Sequence, residues 1–337
     1  MLNIGVVGCG YWGPNLVRNF RTLSNCRVAK VCDSDENRLA HIKALFPEIE
    51  VVSDFDRLVS DPSVNAIVIA TPVRLHFAMA EKSLAAGKHT LIEKPMAASV
   101  DECKKLIEFS EKKKLILMTG HTFIYSTPVR KIKEIIDGGS LGEIHYVSSR
   151  RLNLGLFQKD INVAWDLAPH DISIILYIVN KIPISVNCQG KAHINPNVED
   201  ITNMTLNFSD GFIAVIQSSW LDPNKVRELT FVGRKKMLVY DDVEPNEKLK
   251  IYDKRVDIPP YYDTFAEFQY SYHYGDMYSP YLKMTEPLKT ECEHFIDCIK
   301  TGQKPLTGGV EGLQVVQILE AASKSLRNDG AAVKISL

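Results

Sequence analysis

The sequence predicts an α/β protein in two parts: an N-terminal doubly wound parallel sheet, then a C-terminal α+β domain with an open, largely antiparallel sheet. Three observations predict it. A short apolar run at the N-terminus leads into a glycine-rich turn and a helix. Strands and helices then alternate with short links as far as residue 121. Beyond that point several runs alternate polar with apolar residues, the period of half-buried strands. At 337 residues the chain exceeds one ordinary core, so two domains are expected, 1–121 and 122–337.

The apolar run is Ile4-Gly5-Val6-Val7, a buried strand. It enters Gly8-Cys9-Gly10-Tyr11-Trp12-Gly13, and the helix begins near Pro14. Gly8 permits the tight turn, Gly10 lets backbone approach a pyrophosphate, and Gly13 lets helix and strand pack closely. A second strand, 27–32, ends at Asp33, twenty residues past Gly13. A carboxylate there accepts hydrogen bonds from an adenosine ribose 2′-OH and repels a 2′-phosphate. Ser34-Asp35 follow, with no arginine directly after, so NAD is favoured over NADP. The plainer alternative is that Asp33 caps a loop.

A helix is expected over 54–60, a strand over 66–70 ending at Thr71-Pro72, and a helix over 74–86 carrying His76. The strand 89–92 delivers Glu93-Lys94-Pro95, and 99–113 and 115–119 give the next helix and strand. Ligands of such sheets lie beyond the carboxyl ends of the strands. Tyr11, Trp12, Ala70, Thr71, Pro72, His76, Glu93, Lys94 and Pro95 therefore join the three glycines and Asp33 as the expected cofactor-binding set.

In the second part, residues 126–137 read as a helix stopped by Gly138-Gly139. Strands are expected over 143–152, 184–194, 201–207, 212–220, 227–233, 236–241 and 248–252. Helices are expected from about Pro169 to Asn180, over 286–300 and over 310–327. An open sheet of this size needs its bare face covered, which predicts pairing of subunits through it. The stretch 259–284, with Tyr261, Tyr262, Tyr270, Tyr272, Tyr274, Tyr278 and Tyr281, is compositionally odd and has no assigned role.

Acidic residues number 41 against 40 basic ones, so no basic field points to nucleic acid. No apolar stretch reaches membrane-span length, and the N-terminus enters a strand without a leader-like segment. Seven scattered cysteines fit reduced thiols in the cytoplasm. Cys292, His294 and Cys298 lack the spacing of a zinc site, and no metal is expected.

The chemistry is expected from two segments. Trp165-Asp166-Leu167-Ala168-Pro169-His170-Asp171 precedes an apolar helix, with Pro169 suited to its first turn. Asp166 and His170 are four apart and share one face if the helix starts early enough. Oxidising a secondary alcohol moves a hydride to a nicotinamide and a proton to a base. A histidine takes that proton, a carboxylate fixes it, and a lysine ammonium steadies the developing alkoxide. Lys94, Asp166 and His170 are the catalytic candidates; each read alone is equally a cap, a core histidine or a solvated charge. His121, Tyr125, Arg151, Asn153 and Trp165, with His170, are candidates for facing the substrate, arginine for phosphate and aromatic rings for a sugar face.

On Gly8-x-Gly10-x-x-Gly13, Ala70-Thr71-Pro72, Glu93-Lys94-Pro95 and Asp166-x-x-x-His170, the chain resembles the glucose–fructose oxidoreductase, inositol dehydrogenase and rhizopine-catabolism (Gfo/Idh/MocA) family. The resemblance spans nearly the whole length and implies an NAD-dependent dehydrogenase with Lys94, Asp166 and His170 in the three catalytic places. It also implies a Rossmann domain, an open-faced second domain, and dimers or tetramers formed through that sheet. Gly10 to Asn15, Trp165 to Asp171 and the segment from Tyr274 to Leu288 look like members that oxidise UDP-N-acetylglucosamine at C3 for glycan precursors. Ser173 stands where some members carry an acid, which puts an inositol-type substrate in doubt. A dehydrogenase of a free sugar or polyol, and a non-catalytic NAD-sensing regulator, are the alternatives.

Overall fold

The computed structural model describes residues 1–257 and 271–335. The chain begins β1 (Leu2–Val7), α1 (Gly13–Arg21), β2 (Cys26–Cys32), α2 (Glu36–Leu45), β3 (Glu50–Val52), α3 (Phe55–Ser60) and β4 (Ala66–Ile69). It continues α4 (Val73–Ala85), β5 (His89–Glu93), α5 (Val100–Lys113) and β6 (Leu117–Gly120), then one 3-10 turn over Thr122–Tyr125. The six strands form a parallel sheet in the order β3-β2-β1-β4-β5-β6. Every residue of β4 is buried, as expected for a central strand covered by helices on both faces. The order reverses between β1 and β4, the switch point at which such sheets take ligands. Short acids and hydroxyls start the helices: Asp35 caps α2, Asp54 caps α3 and Ser99 caps α5.

Next come α6 (Thr127–Asp137), β7 (Ile144–Leu152), α7 (Val163–Val179), β8 (Ser185–Lys191), β9 (Ile201–Asn207) and β10 (Ile213–Ser219). They are followed by β11 (Val226–Gly233), β12 (Met237–Asp241), β13 (Leu249–Asp257) and β14 (Ser271–Tyr278). With a last short strand, β15 (Val333–Lys334), they form a nine-stranded sheet in the order β14-β13-β12-β11-β7-β10-β9-β8-β15. Only β7 and β10 pair in parallel. Alternate residues such as Thr202, Met204 and Leu206 are buried, and α7 packs on β7, β9 and β10. This is the one-sided burial that the alternating sequence implies.

Two helices complete the chain, α8 (Pro287–Thr301) and α9 (Gly309–Leu326). The chain divides into two compact units: Met1–Ser126 with Thr285–Glu320, and Thr127–Met284 with Ala321–Leu337. The sequence reading put all of 122–337 in one domain, whereas 285–320 returns to the first unit. The cause is packing: Leu288, Cys292, Phe295 and Ile296 are buried, Phe295 meets Phe20 edge-on at 6.4 Å, and Glu286 bonds Arg18 and Asn19 of α1.

A second difference concerns α7, expected from Pro169 but starting at Val163. The Asn162 side chain accepts from Trp165 N at 3.2 Å, so the cap lies a full turn and more earlier. Pro169 is interior, where its ring forfeits one i→i−4 bond, and Asn180 ends the helix in the left-handed region. The sequence reading also passed over α2, β3 and β14. Tyr261, Tyr262 and Tyr270 lie outside the described residues, while Tyr272, Tyr274, Tyr278 and Tyr281 are exposed. Among the described residues no helix is long and apolar enough to cross a membrane.

Candidate active site

The glycine turn is built by close approach. Gly8 sits at φ +94°, and a Cβ on it would come within 2.6 Å of the Ala70 carbonyl oxygen. A Cβ on Gly13 would lie 2.0 Å from the Gly8 carbonyl oxygen, so both positions require glycine. Gly10 differs: a Cβ there meets nothing within 4 Å, leaving its backbone open to a ligand. At the end of β2, Asp33 is buried, with Oδ2 accepting from Cys9 N at 2.6 Å and Oδ1 from Asp35 N at 2.9 Å. Asp33 therefore ties the glycine turn down, as the loop-capping alternative holds. Arg38, on α2, lies 3.7 Å from it, a cation that inspection of the next two residues had missed. The open Gly10 backbone, the N-terminus of α1 and the carboxylate closing β2 fit a dinucleotide.

Tyr11 is 90% exposed, and Trp12 is half-buried. His76 is buried, with Nε2 2.7 Å from the Thr71 carbonyl oxygen and Nδ1 2.9 Å from that of Pro95. Its ring spans the segments that follow β4 and β5, with a carbonyl facing each nitrogen, and as a neutral ring it donates to one of them. Burial, aided by the charge of Lys94, holds its pKa below the ordinary histidine value. His76 is thus a strut under Lys94-Pro95, a peptide bond in the cis form, and not the cofactor contact expected.

Around Lys94 the first unit gathers buried ionisable groups. The Glu93 carboxyl lies against Gly120, its register partner on β6, where an added Cβ would come within 3.1 Å. Burial raises the Glu93 pKa to about 7 against the pull of the Lys94 ammonium and the nearby Trp12 indole. Glu291, on α8, accepts the Thr122 hydroxyl at 2.8 Å, and burial with the Glu93 charge pushes its carboxyl well up. His121 is 1% exposed, and burial with Lys94 drives its pKa down to about 3. Tyr125 is core: it is 1% exposed, its hydroxyl lies 2.9 Å from Thr307 Oγ1, and its ring packs on His294. That removes Tyr125 from the substrate-facing set.

In the second unit, the early start of α7 puts Asp166 and His170 one turn apart on one face. Asp166 Oδ2 accepts the indole N–H of Trp220 at 3.0 Å, and Trp220 itself is 1% exposed. Asn162 caps the helix, so Asp166 is not needed for that role. The sequence reading did not single out Trp220, which holds Asp166 in place. Behind this face, Arg151 on β7 grips Asp171 with two hydrogen bonds of 2.8 and 2.9 Å, with side chains 5% and 1% exposed. Arg151 was expected to face a phosphate; its guanidinium is instead buried and committed to α7. Trp165 donates to Ser323 Oγ at 2.8 Å, and half-buried Asn153 lies beside Trp220 on Gly155.

All seven cysteines are free and buried. His294 Nε2 accepts from Leu306 N at 2.9 Å with Cys298 Sγ 3.5 Å away. Among the described residues no group of three or more His, Cys, Asp or Glu is placed to hold a metal ion.

Comparison with known proteins agrees with this geometry. Residues 2–121 match the oxidoreductase family with an NAD-binding Rossmann fold, and 129–239 match the GFO/IDH/MocA C-terminal domain. The UDP-N-acetylglucosamine 3-dehydrogenase of Acidithiobacillus ferrooxidans is 26% identical, the match covering 94% of each chain. Myo-inositol 2-dehydrogenase of Thermotoga maritima is 24% identical over 96% of each. The solved structure of the A. ferrooxidans enzyme superposes with a TM-score of 0.79 at 23% identity, over 97% of this chain and 98% of that one. An Agrobacterium radiobacter oxidoreductase solved with NAD+, L-tartaric acid and magnesium superposes with a TM-score of 0.80 at 20% identity, over 99% and 98%. With a nucleotide-binding glycine turn at its start and both family segments matched in order, this chain belongs to the Gfo/Idh/MocA family of NAD-binding oxidoreductases.

Proposed function

We propose that the enzyme oxidises a secondary ring hydroxyl of a UDP-N-acetyl-hexosamine at C3, giving a 3-keto sugar for a cell-surface glycan precursor. The observation that carries the chemistry is the face of α7, where His170 stands one turn from Asp166 and Asp166 is oriented by Trp220. A base backed by a fixed carboxylate suits removal of a hydroxyl proton. The substrate rests on similarity to the A. ferrooxidans enzyme along nearly its whole length.

When bound, NAD supplies the acceptor for the carbinol hydride. Gly8, Gly10, Gly13, Asp33 and the N-terminus of α1 hold its pyrophosphate and adenosine ribose. Tyr11, Trp12, Ala70, Thr71, Pro72, Glu93 and Pro95 frame the rest of the dinucleotide. Lys94 steadies negative charge on the substrate oxygen as its proton leaves. His170 takes that proton at a ring nitrogen, and Asp166 fixes the imidazole or a neighbouring sugar hydroxyl. His121, Asn153 and Trp165 are the remaining candidates for shaping the sugar site. The protein works in the cytoplasm as a homodimer or homotetramer joined through the nine-stranded sheet.

The similarity to a myo-inositol dehydrogenase supports a second reading, a free polyol or sugar as substrate. Absorbance of reduced nicotinamide, followed with UDP-N-acetylglucosamine, myo-inositol and glucose in parallel, separates the two. Turnover of the nucleotide sugar is expected. Turnover of a free polyol with none of any nucleotide sugar overturns the first reading.

A further inference from the structure

Five buried polar atoms of the first unit have no hydrogen-bond partner among the described residues: Glu93 Oε1, Glu291 Oε1, Thr119 Oγ1 and both ring nitrogens of His121, while the Trp12 indole N–H is turned to Glu93. Buried orphans are uncommon and ask for a reason. These collect at the end of β6. Glu93 rests on Gly120, and Glu291 takes the hydroxyl of Thr122, so two carboxyls flank three consecutive residues, each with one oxygen left over.

Two carboxyls in one water-poor pocket do not readily both ionise; one of them keeps its proton. The charged and titratable groups around them decide which keeps it. Lys94 follows Glu93 directly and favours its anion. His121, at the end of β6, and His76, on α4, are held neutral by burial. On α8, Cys292 adjoins Glu291 with Cys26 behind it, and burial keeps both thiols protonated. Glu286, which starts α8, is already paired with Arg18. Among the described residues the cation acting on this pair, Lys94, acts on Glu93, and the Thr122 hydroxyl occupies Glu291 Oε2, leaving Oε1 to carry hydrogen.

We propose that Glu291 is a positioning residue that remains a carboxylic acid, offers its hydrogen toward Glu93, and so keeps Glu93 as the carboxylate beside Lys94. The proposal rests on the reading that Lys94 meets charge on the substrate oxygen. A lysine with a fixed counter-charge keeps both its proton and its place. Were Glu93 to take up a proton, Lys94 would lose that partner.

Two substitutions separate this role from mere packing. Glu291→Gln retains an acceptor for Thr122 and a donor toward Glu93 but cannot ionise, whereas Glu291→Leu retains only bulk. The glutamine variant is expected to turn over within about twofold of wild type. The leucine variant is expected to lose about tenfold in kcat at neutral pH with KM little changed, an effect on the reacting state rather than on binding. Its acid limb is expected to move up by about one pH unit as Glu93 retains its proton. Infrared spectra of the full chain, which need no turnover, are expected to show a protonated carboxyl band at neutral pH. That band persists in Glu93→Gln and is lost in Glu291→Gln. A band that survives Glu291→Gln, a leucine variant with the wild-type pH profile, or a glutamine variant as impaired as leucine overturns the proposal. If Lys94→Ala turns over normally, the catalytic reading fails by itself, and the infrared result still reports the proton.

Discussion

At the residue scale, the proposed chemistry depends on a few side chains fixed by single contacts. The Trp220 indole donates a hydrogen bond to Asp166, a bond to a charged acceptor worth about 1.5–3 kcal/mol. Trp220→Phe keeps the ring and drops the donor, so kcat/KM is expected to fall about tenfold with NAD affinity unchanged. Steady-state kinetics beside NAD titration check this; wild-type kinetics in the variant remove Trp220 from the mechanism. Asp33 is tied both to the turn through Cys9 N and to a ribose by proposal. Asp33→Asn keeps an acceptor but removes the charge, so discrimination against NADP is expected to narrow. An unchanged preference would place the whole role of Asp33 in the loop. Of these residues, Asp33, Lys94, Asp166 and His170 could be singled out as candidates from the sequence because strand ends and helix turns are local patterns. Trp220 and Glu291 were not, since a tryptophan after a strand or a glutamate on an amphipathic helix carries no mark of its distant partner.

Among the elements, α7 is the one that positions chemistry, and Arg151–Asp171 anchors it to β7. Removing one partner of a buried pair strands the other charge, at a cost of about 3–5 kcal/mol. Arg151→Met and Asp171→Leu are each expected to lower the melting temperature strongly, with the double variant milder than their sum. Additive losses in thermal melts would show that the pair is not coupled. The sequence marked α7's apolar register but misjudged its start, because Pro169 suits a first turn so well. Asn162, an N-cap residue before Val163 and Ala164, was the readable signal. The strand β9 was legible to both ends because its alternation is unbroken. By contrast α2 was missed: it buries only Leu39 and Ile42 and presents little apolar stripe. Likewise α8 was read as a helix but assigned to the wrong part of the chain, since helical periodicity says which face is buried and not against what.

For the whole molecule, acid and base limits follow from opposed buried groups. His121 has a folded pKa of about 3, below its unfolded value, so acid protonates the unfolded chain first. Its contribution is intact above about pH 6.5 and is lost downward from there by about 1.4 kcal/mol per pH unit. Glu93, raised to about 7, has the reverse sign: its contribution is intact below the ordinary glutamate range and is lost as pH climbs to about 7. In His121→Gln, unfolding free energies from urea titrations between pH 6.5 and 4.5 are therefore expected to fall less than in wild type, by up to about 3 kcal/mol. An identical acid slope in both proteins contradicts the burial of a neutral ring. The cysteines add a bulk check. Burial lifts Cys9, Cys103 and Cys188 to about 12 and Cys26 and Cys32 to about 11, so thiol reagents should label the native chain slowly and the unfolded chain at all seven sites.

The most direct test of the dehydrogenase mechanism is kcat for NAD reduction by Lys94→Ala and His170→Ala, measured on the sugar that wild type turns over best. Loss of about 10²–10⁴ in each, with NAD binding retained, is the expected result. Near-normal kcat in either variant, or NAD binding abolished in His170→Ala, would contradict the roles assigned to them.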